Sequence, residues 1–209
     1  MNNDFMNKIT KERASLEAWI RASVGEMDKI MDVGFPNVFG RDWRQKMGKF
    51  PVSARTKLLT YVFDYAIEEM AKRLKIQYSA ANNQGASETN NFDCYLFGCE
   101  VENKLSLGSN NASFGTGSKH NIDGKVSRIL AVKVKQSKDY HSEEMFAAVI
   151  DLSLATHKDS KWHIGKGKSG FSALKVSVHD EGIVIPLCGD TKLGKKYLLA
   201  DNESIGRKP

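Results

Sequence analysis

Residues 91–105, NFDCYLFGCEVENKL, alternate apolar and polar side chains on both sides of Phe97-Gly98, and no other stretch constrains the local fold so tightly. Period-two alternation interrupted by a glycine-containing pair reads as two antiparallel strands joined by a two-residue turn. The glycine supplies the positive φ that such a turn requires. The register then pairs Leu96 with Cys99, Tyr95 with Glu100, Cys94 with Val101 and Asp93 with Glu102. Because successive side chains point to opposite faces, Asp93, Tyr95, Glu100, Glu102 and Lys104 share one face. Phe92, Cys94, Leu96, Cys99, Val101 and Leu105 share the other and read as core. Directly opposed residues have Cβ atoms roughly 4.5–5.5 Å apart, and like charges there repel. A cation between Asp93 and Glu102 is the simplest relief.

Asp93 followed by Glu102-Asn103-Lys104 on the next strand resembles the PD-(D/E)xK motif of restriction-endonuclease-like nucleases. The resemblance implies a mixed α/β fold in which a central mixed β-sheet is flanked by helices and preceded by a helical N-terminal part. It implies that Asp93 and Glu102 hold a divalent metal, usually magnesium, together with the backbone carbonyl of Asn103. Lys104 would activate or position the attacking water. Two departures stand out: Phe92 occupies the place of the motif's proline, and Asn103 stands where the family usually has an apolar residue. A shifted register is also open, with Glu100 as the first acid and Glu102 in place of the lysine. Some restriction enzymes carry an extra carboxylate on the helix before the hairpin, which makes Glu69 a candidate. Its plain alternative is a flanking charge paired with Lys72 or Arg73.

Over residues 55–155 the chain is most similar to type II restriction endonucleases. That likeness implies cleavage of double-stranded DNA at a fixed sequence. It further implies a homodimer whose two-fold symmetry mirrors a palindromic site, and a cognate DNA methyltransferase in the same host. Two other readings remain: a structure-selective repair or junction nuclease of the same fold, and a non-catalytic DNA-binding protein whose acidic face carries cross-strand salt bridges.

The 209 residues suit a single domain. Residues 1–75 form a mainly helical part, 91–155 the hairpin and core strands, and 156–209 further strands and DNA-contact loops. A net charge of +6 fits a phosphate-rich partner. No apolar run reaches the roughly 18 residues of a membrane span, and the N-terminus lacks the apolar segment of a secretory signal. Cys94, Cys99 and Cys188 support neither a disulfide framework nor a zinc site. A reduced, cytoplasmic setting is the expectation.

In the helical part, apolar residues from Phe5 to Met31 recur at helical intervals until Gly34-Phe35-Pro36, which should end the helix. A short helix is expected from Trp43 to Met47. Ser53 should then cap the clearest helix, 54–74, whose apolar stripe runs through Leu59, Phe63, Ile67 and Met70. Downstream, 125–135 reads as a strand with a helical alternative. Residues 145–154 read as a strand covered on both faces, with Asp151 as a strand-end or turn-facing acid. Residues 173–178 and 183–187 look like a hairpin through His179–Gly182, and 195–199 like an edge.

Two polar loops, 79–91 and 106–124, bracket the acidic hairpin. Long loops in a compact domain are usually functional or disordered. Asn110, Asn111 and Lys119 are candidates for base or phosphate contacts, with backbone at Gly115 and Gly117 able to approach phosphate closely. The GKGKS stretch lacks phosphate-loop spacing, so Lys166 and Lys168 are expected either to meet DNA backbone or to belong to a solvated loop. Lys192, Lys195 and Lys196 fit either a phosphate contact or a charged surface. The five histidines, His120, His141, His157, His163 and His179, show no paired zinc spacing.

Overall fold

A computed structural model describes residues 4–81, 92–107, 128–154, 161–164, 172–175, 178 and 182–194. Four helices come first: α1 (Asp4–Lys11), α2 (Arg13–Phe39), α3 (Trp43–Lys49) and α4 (Val52–Leu74). Six strands then form one mixed sheet in the order β1-β2-β3-β4-β5-β8. They are β1 (Tyr78–Ala80), β2 (Cys94–Leu96), β3 (Cys99–Leu107), β4 (Arg128–Gln136), β5 (Ser142–Asp151) and β8 (Val184–Gly189). β3 and β4 run parallel, and the other neighbours are antiparallel. β6 (Lys161–Ile164) and β7 (Ser172–Lys175) make a separate two-stranded sheet, and α5 (Thr191–Gly194) follows β8. No described helix is long and apolar enough to cross a membrane.

The helices bury their apolar stripes on one face of the sheet. Trp19, Met27, Leu59, Phe63 and Ile67 share a core with Val101, Leu130, Val132 and Val149. The buried Trp19 indole donates to the carbonyl of Ile67 at 2.9 Å, which ties α2 to α4 and satisfies its one polar atom. The opposite face carries a smaller cluster of Ile129, Ala131, Phe146, Ala148 and Ile150, closed over by Leu193 of α5. Both faces of β4 and β5 are therefore covered, as their almost continuous apolar sequence requires.

Several local expectations are corrected. The helix does not stop at Gly34-Phe35-Pro36: α2 continues to Phe39 with Pro36 inside it. A proline this near the C-terminus removes one backbone hydrogen bond, while the Phe35 ring packs edge-on against Phe39 and Trp43 and holds the last turn. Gly40, at φ +85, makes the actual stop. Ser53 is not a cap, because α4 already starts at Val52 with Pro51 before it. Ser79 and Ala80 are not loop but pair with Tyr95 and Cys94 as strand β1. Residues 128–136 are a strand, which removes the helical alternative. β5 ends at Asp151, and Leu152–Leu154 turn as a short 3-10 helix. The expected hairpin between 173–178 and 183–187 does not form: β7 pairs with β6, while β8 crosses to β5. Gly182 does turn the chain at φ +79, but partner choice follows burial against β5. Residues 195–199 lie outside the described residues.

Candidate active site

The hairpin adopts the expected register, with Cys94 against Val101, Tyr95 against Glu100 and Leu96 against Cys99. Phe97 at φ 54 and Gly98 at φ 79 give the doubly left-handed turn that matches strand twist. The ladder stops at Cys94–Val101, where β2 begins. Residues 99–101 pair with β2, and from Glu102 onward the strand pairs with β4. Past the fork, among the described residues, no strand pairs with the β2 edge of β3. Asp93 fills the gap with its side chain: its Oδ2 accepts the N–H of Asn103 at 2.8 Å, while its own N–H donates to the Val101 carbonyl at 3.1 Å. Asp93 is thus not a regular cross-strand partner of Glu102. It caps the open edge next to it. The N–H and C=O of one strand residue point to the same side, so the Asn103 carbonyl also faces this edge.

Glu102 and Lys104 project together from the face opposite the helices and form an ion pair. Glu102 is only 8% exposed and Lys104 half-buried. Asn103, pointing the other way, is 9% exposed. Its amide donates to the Tyr78 hydroxyl at 3.3 Å, and its Oδ1 accepts from the Cys94 thiol at 3.4 Å. This accounts for a polar residue where an apolar one is usual: β1 and β2 supply its partners. Burial holds the Cys94 thiol proton up to about 12 and raises Tyr78 as well. Neither group is reactive near neutrality.

Sequence reasoning missed Asp64 on α4. Burial first, and then the negative charge of Asp93, push its carboxyl up to about 6, with Lys104 opposing. A helix carboxylate therefore does look onto the hairpin, and it is not Glu69. Glu69 bonds Lys72 at 3.1 Å on the exposed side of the helix, and Glu68 pairs with the same lysine. A signal was present in the sequence. Glu69 has Lys72 and Arg73 three and four residues on, whereas no lysine or arginine stands three or four residues from Asp64. An acid at the margin of an apolar stripe with no partner on its own helix has to find one elsewhere.

Glu100 is exposed opposite Tyr95, on the far side of the fork from Lys104. Asp151 is fully buried, paired with Arg128 at 3.2 Å and bonded by Ser153, so it is a structural strand-end acid. Asn110, Asn111, Lys119, Lys166, Lys168, Lys195 and Lys196 lie outside the described residues, as do Gly115 and Gly117.

The donors around the fork are all oxygen: the carboxylates of Asp64, Asp93 and Glu102 and the Asn103 carbonyl. Such a set suits a hard cation. Among the described residues no three His, Cys, Asp or Glu side chains gather as one ligand cluster. Magnesium commonly takes one or two carboxylates and completes its shell with water and substrate oxygens, so the donor set fits that ion. The chain matches no family model, no curated protein and no solved structure.

Proposed function

We propose that this protein is a magnesium-dependent endonuclease of double-stranded DNA with a restriction-endonuclease-like core, and that it acts as a sequence-specific type II restriction enzyme. The observation that carries the reading is that Asp93 accepts the Asn103 N–H between Glu102 and Lys104, which pair with each other, while Asp93 and Lys104 both act on the charge of the half-buried Asp64. The net charge of +6 supports a polyanionic substrate. A homodimer on a palindromic site and a companion methyltransferase belong to the same proposal.

When bound, magnesium supplies Lewis-acid charge at the phosphate and acidifies water. Asp93, Glu102 and the Asn103 carbonyl would hold it. The Asn103 N–H fixes the Asp93 carboxylate, so little reorganisation is needed on binding. Glu102 holds the Lys104 ammonium in place, and that charge stabilises the phosphorane as it develops. Asp64 exchanges its proton close to neutrality, which makes it suited to accept one from the attacking water.

The Glu102–Lys104 ion pair also favours a second reading, a DNA-binding protein in which this pair is purely structural. The test is digestion of a long, defined duplex with magnesium or with chelator. Discrete fragments in magnesium alone, lost in Asp93→Ala and Glu102→Ala and largely kept in Glu100→Ala, are expected. Intact DNA bound equally well with and without magnesium would establish the second reading. Cleavage confined to branched DNA would move the protein to repair or junction processing. An essential Glu100 with a dispensable Lys104 would shift the motif register.

A further inference from the structure

On the face that carries Glu102 and Lys104, the parallel register sets Lys104 against Ala131 and Ser106 against Lys133. Lys133 therefore projects from that same face, one strand over and one alternation further along. A strand spacing near 4.8 Å and a two-residue rise near 6.6 Å put the two lysine Cα atoms about 8 Å apart. On its other side Lys133 is registered against Phe146. That ring is packed hard by α5: a Cβ on Gly194 would meet it at 2.8 Å.

Lys133 is only 4% exposed. Its neighbours have acids of their own: Lys104 pairs with Glu102, and Lys135 with Glu144. No ion pair or hydrogen bond among the described residues involves the Lys133 ammonium. The ammonium is not sealed in, however. Among the described residues, the one fully enclosed side-chain nitrogen without a hydrogen bond is Nε of Arg128. Lys133 is thus registered beside Phe146 and almost wholly covered, with its ammonium keeping a slight contact with solvent. Desolvation of this charge is uncompensated and lowers its pKa. A methionine would pack the same space without that cost, so a structural role gives no reason for a cation here. An anion would.

We propose that Lys133 is a phosphate-binding residue that receives the backbone phosphodiester adjoining the one faced by Lys104. The inference rests on the nuclease reading and extends its anion site across β4. It is tested with Lys133→Met and Lys133→Gln in the full chain, by binding of a duplex oligonucleotide in calcium over a range of salt. Thermal midpoints are measured without DNA. Both variants should lose about three- to tenfold in affinity and about one in the slope of log K against log salt. Lys133→Met should melt no lower than wild type. Wild-type affinity and slope in both variants, with cleavage still dependent on Lys104, would overturn the assignment of Lys133 and leave the nuclease reading intact. A sharp fall in midpoint with unchanged affinity would make Lys133 structural and overturn it equally. A wild-type protein that binds no duplex would overturn both readings.

Discussion

Asp64 keeps its proton to about pH 6 because burial, and then the charge of Asp93, disfavour its carboxylate. Its folded pKa lies above the ordinary 3.8 of the unfolded chain, so the sign of its effect on stability is fixed. The contribution is full below about pH 3.8 and is lost as the pH rises through about 6. Above that, the ionised group lowers stability by up to roughly 3 kcal/mol. Asp64→Asn should therefore raise the thermal midpoint at pH 8 and change it little at pH 4. A difference that does not vary with pH, followed by calorimetry, would show that Asp64 does not titrate in this range. Asn103 acts in the opposite direction. Its side chain is the partner of the Tyr78 hydroxyl and the Cys94 thiol, so Asn103→Ala leaves both without it. A loss of about 1–3 kcal/mol is expected, seen in denaturant melts as a lower midpoint with an unchanged slope.

Among the elements, β5 and β8 depend on one glycine. Gly189 sits at φ +99 at the end of β8, in register with Phe146, and a Cβ there would lie 1.8 Å from the Met145 carbonyl oxygen. Backbone cannot yield as a flexible side chain can. Gly189→Ala should cost about 2–4 kcal/mol, whereas Gly98→Ala at the hairpin turn, with open space around it, should cost only about 1–2 kcal/mol from its φ. Equal urea midpoints for the two variants would contradict this. The contrast also explains what the sequence discloses. The β2–β3 hairpin is legible because alternation and turn chemistry lie within a few residues of each other, and α4 because its stripe is periodic. β8 is not, since its choice of β5 over β7 depends on burial far along the chain. Pro36 misleads because its local veto is outweighed by Phe35 packing on Phe39 and Trp43. At the site, Asp93, Glu102 and Lys104 follow from local pattern. Asp64 requires knowing that α4 crosses the hairpin, a tertiary fact to which its missing helical partner is the single local clue.

At the scale of the whole molecule, the parallel β3–β4 pair stands apart. Residues 108–127 separate Leu107 from Arg128, and a parallel pair cannot be closed by a tight turn. The helices, the β2–β3 hairpin and the antiparallel β4–β5 pair rest on contacts close in sequence, whereas pairing β4 with β3 must first bring together ends separated by residues 108–127. On the nuclease proposal, refolding after denaturant dilution should thus restore the far-ultraviolet helical signal before DNA cleavage, with cleavage tracking the slower phase. Simultaneous recovery in stopped-flow and quenched-flow experiments would argue against this order. The fork at Glu102 then has a consequence for the cell that makes the protein. During synthesis α1 to α4 and the hairpin emerge before β4, so a nascent chain holds Asp64 and Asp93 while the Glu102–Lys104 side of β3 is still unsupported. On the nuclease proposal, the site would in this way stay incomplete on the ribosome and be assembled only once the last central strands have joined.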